Sequence, residues 1–98
     1  MNIVRNQQGS KLTLSLQGRL DTTTAPRLEG ELRDAVIGVS DLVFDLSDLE
    51  YVSSAGLRVL LSAQKVMNKQ GTMTIIHAKP EIMEIFEVTG FVDILNIQ

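Results

Sequence analysis

The chain has no cysteine and a single histidine, His77. The first absence excludes disulfides and thiolate chemistry, and the second leaves any serine–histidine mechanism with one candidate base. No apolar run approaches the roughly 20 residues that a membrane-spanning helix needs. Met1 is followed by Asn2, Ile3, Val4 and Arg5, not by the apolar core of a secretory signal. A cytoplasmic protein with no membrane partner is therefore expected. Nine Lys and Arg residues are scattered along a chain of net charge -3, which gives no electrostatic footprint for nucleic acid. Asp45, Asp48 and Glu50 lie near one another, but no motif with metal-ligand spacing surrounds them, so neither a metal nor a cofactor is expected. Linkers, repeats and low-complexity segments are lacking too. A chain of 98 residues then makes one domain, 1–98, with one modest core and one principal surface.

What is present alternates between strand and helix patterns. Asn2 to Gln7 reads as a weak strand. Lys11 to Gln17 sets Leu12, Leu14 and Leu16 against Lys11, Thr13, Ser15 and Gln17, which is the period of a strand with one buried face. Gln8-Gly9-Ser10 between them predicts a hairpin turn and antiparallel pairing. In TTTAPRLEGELRDAVIGV the threonines offer caps, Pro26 suits a first turn, and Leu28, Leu32, Ala35 and Val36 recur at helical spacing, ending near Gly38. Leu42 to Leu46 predicts a short buried strand, Ser54 to about Lys69 a second helix, and Thr72 to His77 another strand. Pro80 opens a third helix that ends at Gly90, and Val92 to Ile97 reads as a final strand. Alternation from Leu42 onward implies right-handed βαβ crossovers. The expected fold is α/β, a mixed sheet with an antiparallel N-terminal hairpin and helices packed on it.

The stretch YVSSAGL falls just past the carboxyl end of the Leu42–Leu46 strand and at the start of the second helix, where open α/β sheets place their working sites. Exposed backbone N–H groups and the helix dipole favour an anion there. A capping serine and a closely packed Gly56 would explain the stretch without any function. Only one of Ser53 and Ser54 can be the cap, however, and Gly56 in a first turn costs roughly 1 kcal/mol against Ala. Along the helix, Val59, Leu60, Ala63, Val66 and Met67 gather on one side, and Arg58, Ser62, Lys65 and Lys69 form a polar stripe. Leu57 and Leu61 belong to neither group and fall beside Gln64 and Asn68. That flank either packs against the third helix or forms the apolar centre of a partner surface, with Leu57 and Leu61 inside and Gln64 and Asn68 at the rim.

YVSSAGLRVLL after DLSDLE resembles the signature of the STAS domain family of bacterial anti-sigma factor antagonists. LQGRLDTTTAP is similar to that family's Gly-x-Leu-Asp segment, and TIIHAKPEIMEIFEVTGF to its strand, helix and closing turn. With Gly56 and Leu57 in register with the family's Asp-Ser-Ser/Thr-Gly-Leu run, Ser54 takes the phosphoacceptor position and Ser53 stands where the Asp usually is. The resemblance implies partner switching. The unphosphorylated antagonist binds an anti-sigma factor that is also a serine kinase, phosphorylation ends the complex, and a serine phosphatase resets it. Such a protein is a substrate and not an enzyme. Asp21, in the matched Leu-Asp segment, is either a turn or helix-start carboxylate or a contributor to partner contact on the same end of the sheet as Ser54.

Two rivals remain at this level. Ser54-Ala55-Gly56 is half of a G-x-S-x-G nucleophile elbow, but Val52 stands where the first glycine belongs, and nothing in the spacing brings His77 to Ser54. A STAS subunit that serves as a scaffold in a signalling or transport assembly, with a vestigial serine, is the nearer alternative.

Overall fold

A computed structural model describes all residues from Met1 to Gln98. Strands β1 (Asn2–Gln8) and β2 (Lys11–Leu20) form the antiparallel hairpin, and helix α1 (Ala25–Ala35) leads into β3 (Asp41–Val52). Helix α2 (Ser54–Gln70), β4 (Thr72–Ile76) and α3 (Pro80–Thr89) follow, and a short 3-10 turn over Phe91–Asp93 closes the chain. The sheet has the order β1-β2-β3-β4, with β2, β3 and β4 mutually parallel. This is the expected α/β fold with its mixed sheet.

Alternation in the strands sends Leu12, Leu14 and Leu16 of β2, Leu42 and Phe44 of β3, and Met73 and Ile75 of β4 to one face, where all are buried. Leu28 and Leu32 of α1, Leu60 and Met67 of α2, and Ile82 and Phe86 of α3 close over them in one continuous cluster. Each fully buried leucine contributes roughly 1.5 to 3 kcal/mol by leaving water. The other sheet face carries Thr13, Ser15, Asp45, Thr74 and Ile76, all half-buried. Val43 is the buried apolar residue that stays outside the main cluster. At the far end of α2 the Gln70 amide donates to the carbonyls of Val36 (2.8 Å) and Val39 (2.6 Å), tying that end to the α1–β3 connection.

Two expectations need correction. The strand expected at Leu42–Leu46 runs on to Val52, because β2 continues beside it: Gln17 pairs with Asp48, Gly18 with Leu49, Arg19 with Tyr51 and Leu20 with Val52. Register shifts at Ser15/Gln17 and Gly18/Arg19 space the buried residues as Leu46, Leu49 and Val52. That three-residue interval hides a bulged strand from a search for period two. The final strand expected at Val92–Ile97 is reduced to one parallel bridge, Ile75 with Ile97. After the left-handed Gly90, the chain winds into 3-10 and turn bonds from Asp93, Ile94 and Leu95 back to Gly90 and Phe91. Those bonds consume the residues that a strand would use.

Gly56 sits where α2 starts against the ends of β2 and β3. A Cβ there would stand 2.6 Å from Leu20 Cγ, 2.9 Å from the Leu20 carbonyl oxygen and 2.9 Å from Val52 Cγ2. The backbone oxygen cannot rotate away, so Gly56→Ala must push the helix off the strand ends. The expected cost is about 1 to 3 kcal/mol in urea unfolding. Wild-type stability in Gly56→Ala would show that the contact is looser than these distances.

Candidate functional site

The site is built where β2 and β3 end side by side. The Ser53 N–H donates to the Leu20 carbonyl (2.8 Å), which joins the two strand ends immediately before α2. Ser53 has extended backbone angles and is the helix N-cap, its Oγ accepting from the Gly56 N–H at 3.3 Å. Ser54 is the first helical residue and is exposed. The cap is therefore complete without Ser54, whose hydroxyl takes no part in the hydrogen bonding that holds this turn.

Asp21 organises the neighbouring turn. Its Oδ1 accepts from the Thr23 hydroxyl (2.7 Å), the Thr23 N–H (3.0 Å) and the Thr24 N–H (3.2 Å). Thr24 Oγ1 accepts from the Asp21 N–H and donates to the Arg19 carbonyl, both at 2.8 Å. The threonines expected to cap α1 are thus spent on this turn, and the helix start at Thr24 has no side-chain cap. The Thr23 hydroxyl is the largest influence on the Asp21 carboxyl; partial desolvation opposes it, and the two backbone N–H groups reinforce it. The net effect lowers the pKa to about 2. On the outer side, Arg19 Nε stands 3.6 Å from Asp21 Oδ2, and the guanidinium lies over the Tyr51 ring at 4.4 Å.

Between α1 and the start of α2 runs a cleft of about 450 Å³ whose walls include Thr22, Arg33, Ala55 and Arg58. It continues along the two helices as a groove reaching Val59 and Val66. Val66, expected on the seated side of α2, is 41% exposed, whereas Leu57 is 6% exposed and belongs to the core. The helix is turned so that Leu57 and Gln64 face inward and Val66 opens onto the groove. Leu57 is therefore withdrawn from the expected partner surface. Gln64 is no rim residue either: it is 8% exposed, its Nε2 donates to Asn68 Oδ1 at 2.8 Å, and its Oε1 has no donor. Leu61 is half-buried and lies outside both the core cluster and the side chains packed against it. Asp21, Ser53 and Ser54 share one end of the sheet, and Leu61 follows Ser54 along α2.

Arg19, Tyr51 and Arg58 join this end without having been singled out in the sequence. Arg19 and Tyr51 meet because they are paired across the β2–β3 register, and that pairing depends on bulges which no local pattern announces. Arg58 was placed in a polar stripe; its four-residue spacing from Ser54 was the available signal. His77 has left-handed backbone angles (φ 59) and its ring bonds Asp45 Oδ1 at 3.2 Å. Neither member of that pair is hydrogen-bonded to Ser54. No helix is long and apolar enough to cross a membrane.

The STAS domain model matches residues 2–98. The chain belongs to the STAS domain family. A putative anti-sigma factor antagonist of Bordetella bronchiseptica, BtrV, is 37% identical over 99 residues, covering 99% of this chain and 85% of its own. Among solved structures, an anti-sigma factor antagonist from Mycobacterium paratuberculosis superposes with a TM-score of 0.88 at 24% identity, covering 98% of this chain and 83% of that one. The Bacillus cell fate determinant SpoIIAA in its phosphorylated form gives 0.77 at 14% identity, covering 99% and 91%. At these identities the two structures speak for the fold.

The Asp21 turn carries a pH dependence of definite sign. A carboxyl lowered from 3.8 to about 2 on folding stabilises the folded state fully above the higher value and loses that contribution as pH falls through the lower one. Wild-type protein should therefore lose stability between these values, while Asp21→Asn should be less stable at neutral pH and flatter across the same interval. Urea midpoints measured from pH 5 to pH 2 check this. Parallel curves for the two proteins would contradict the role given to the carboxylate.

Proposed function

We propose that this chain is an anti-sigma factor antagonist that works by partner switching, with Ser54 as the phosphoacceptor. In its unphosphorylated form it binds an anti-sigma factor with serine kinase activity and so releases a sigma factor. Phosphorylation of Ser54 ends that complex, and a serine phosphatase restores it. The observation that carries the reading is the division of labour between the serines: Ser53 completes the helix cap and Ser54 presents a free, exposed hydroxyl beside it. Family membership and a relative named as an anti-sigma factor antagonist support it, as does the phosphorylated state of the structural neighbour SpoIIAA.

The physics of the switch is local. A phosphate adds a charge of about -1.5 to -2, and the first turn of a helix tolerates an anion, so the domain need not unfold. An interface closed over Ser54 must instead desolvate that charge, and every 1.4 kcal/mol lost is about tenfold in affinity. Partner contact is assigned to Asp21, Ser53, Ser54 and the half-buried Leu61. The chain serves as the substrate of phosphoryl transfer, not its catalyst. A serine hydrolase is disfavoured because His77 and Asp45 bond each other and neither is hydrogen-bonded to Ser54.

Incubation with the cognate kinase and ATP, followed by peptide mapping, is expected to place phosphate on Ser54; phosphate on Ser53 alone would refute the assignment. Ser54→Ala should keep kinase binding and abolish modification, whereas Ser54→Glu should weaken binding by about tenfold or more. Leu61→Ala should cost less than about 1 kcal/mol in folding stability yet weaken kinase binding by more than about 1 kcal/mol. Unchanged binding by that variant would remove Leu61 from the surface.

A further inference from the structure

We propose that Arg58 is the intramolecular receptor of a phosphate on Ser54, an inference that rests on the acceptor role given to Ser54 above. The two residues are four apart in α2. Positions so spaced are neighbours on one helix face, and the order anion before cation is the favourable one. Both are exposed, so their side chains can meet without disturbing the core.

The choice of Arg58 follows from what the other arginines around the site already do. Arg19 holds Asp21 at 3.6 Å and lies over Tyr51. Arg33, across the cleft, pairs with Glu29 at 3.0 Å. Arg58 forms none of the four ion pairs in the chain. Its guanidinium fork matches the geometry of a phosphate, which can accept two parallel N–H bonds. Before modification, Arg58 is a free cation in the wall of the cleft beside Ala55 and Thr22. Afterwards it is engaged by the phosphate. Modification thus changes the surface twice, adding an anion and withdrawing the one uncommitted arginine that a partner could meet at this end of the sheet.

Phosphoserine introduced at position 54 during synthesis tests this without any kinase. The second ionisation of the phosphate is followed by 31P NMR in the otherwise wild-type protein and in Arg58→Ala, Arg58→Lys and Arg33→Ala. The expected result is a titration midpoint at a pH lower by about 0.3 or more with Arg58 present than in Arg58→Ala. Arg58→Lys should fall between them, and Arg33→Ala should match the wild-type midpoint. Coincident midpoints for wild type and Arg58→Ala would overturn the proposal, and so would a midpoint that moves with Arg33 instead. Because the phosphate is placed synthetically, this comparison stands apart from the mapping of kinase-added phosphate, which tests the acceptor reading alone.

Discussion

The arrangement of this domain depends on how closely α2 is set against the ends of two strands. The Ser53 N–H bond to the Leu20 carbonyl joins β2 to β3 at their last residues, and Gly56 lets the helix backbone approach the same carbonyl to a distance no side chain would allow. Those two contacts fix the direction in which α2 leaves the sheet. They bring Leu60 and Met67 into the same buried cluster as Phe44 and Ile75 and leave Ser54 exposed in the first turn. Glycine in a helix is costly in isolation; here the close packing it permits offsets that cost.

Polar groups at the site are divided between those that build and those that remain free. The Asp21 carboxylate and the hydroxyls of Thr23 and Thr24 satisfy one another and the local backbone. Ser53 satisfies the helix start. Arg19 is occupied by Asp21 and Tyr51. The Ser54 hydroxyl consequently stands on a frame that does not need it. Such an arrangement permits chemistry at one atom without rewriting the fold around it.

The order of elements was legible because each carries its own period. Leu12, Leu14 and Leu16 declare a strand, and Pro80 and Gly90 bracket a helix. The strand-to-helix turn that carries the candidate site was legible too, since a polar pair there stands out against an apolar background. What escaped were features fixed by register and by tertiary angle. The bulges that extend β3 to Val52 bring Arg19 to Tyr51, and no window along one strand contains both. The rotation of α2 that buries Leu57 and exposes Val66 is set by Gly56 against Leu20, a contact between residues far apart in sequence. At the C-terminus, apolar residues suited to a strand were claimed by the turn after Gly90.

The outer strand β1 has one consequence beyond completing the sheet. Six of its seven residues are exposed, and its sequence NIVRNQQ is mostly polar with a charge at Arg5. An edge of this kind offers hydrogen bonds to any passing strand but little apolar surface to reward the union. Sheet-to-sheet association of neighbouring molecules is discouraged along that border. The strand termini follow the opposite design: there the polar surface is made of individual side chains, such as Ser54 and Arg58, and not of a row of unpaired backbone groups.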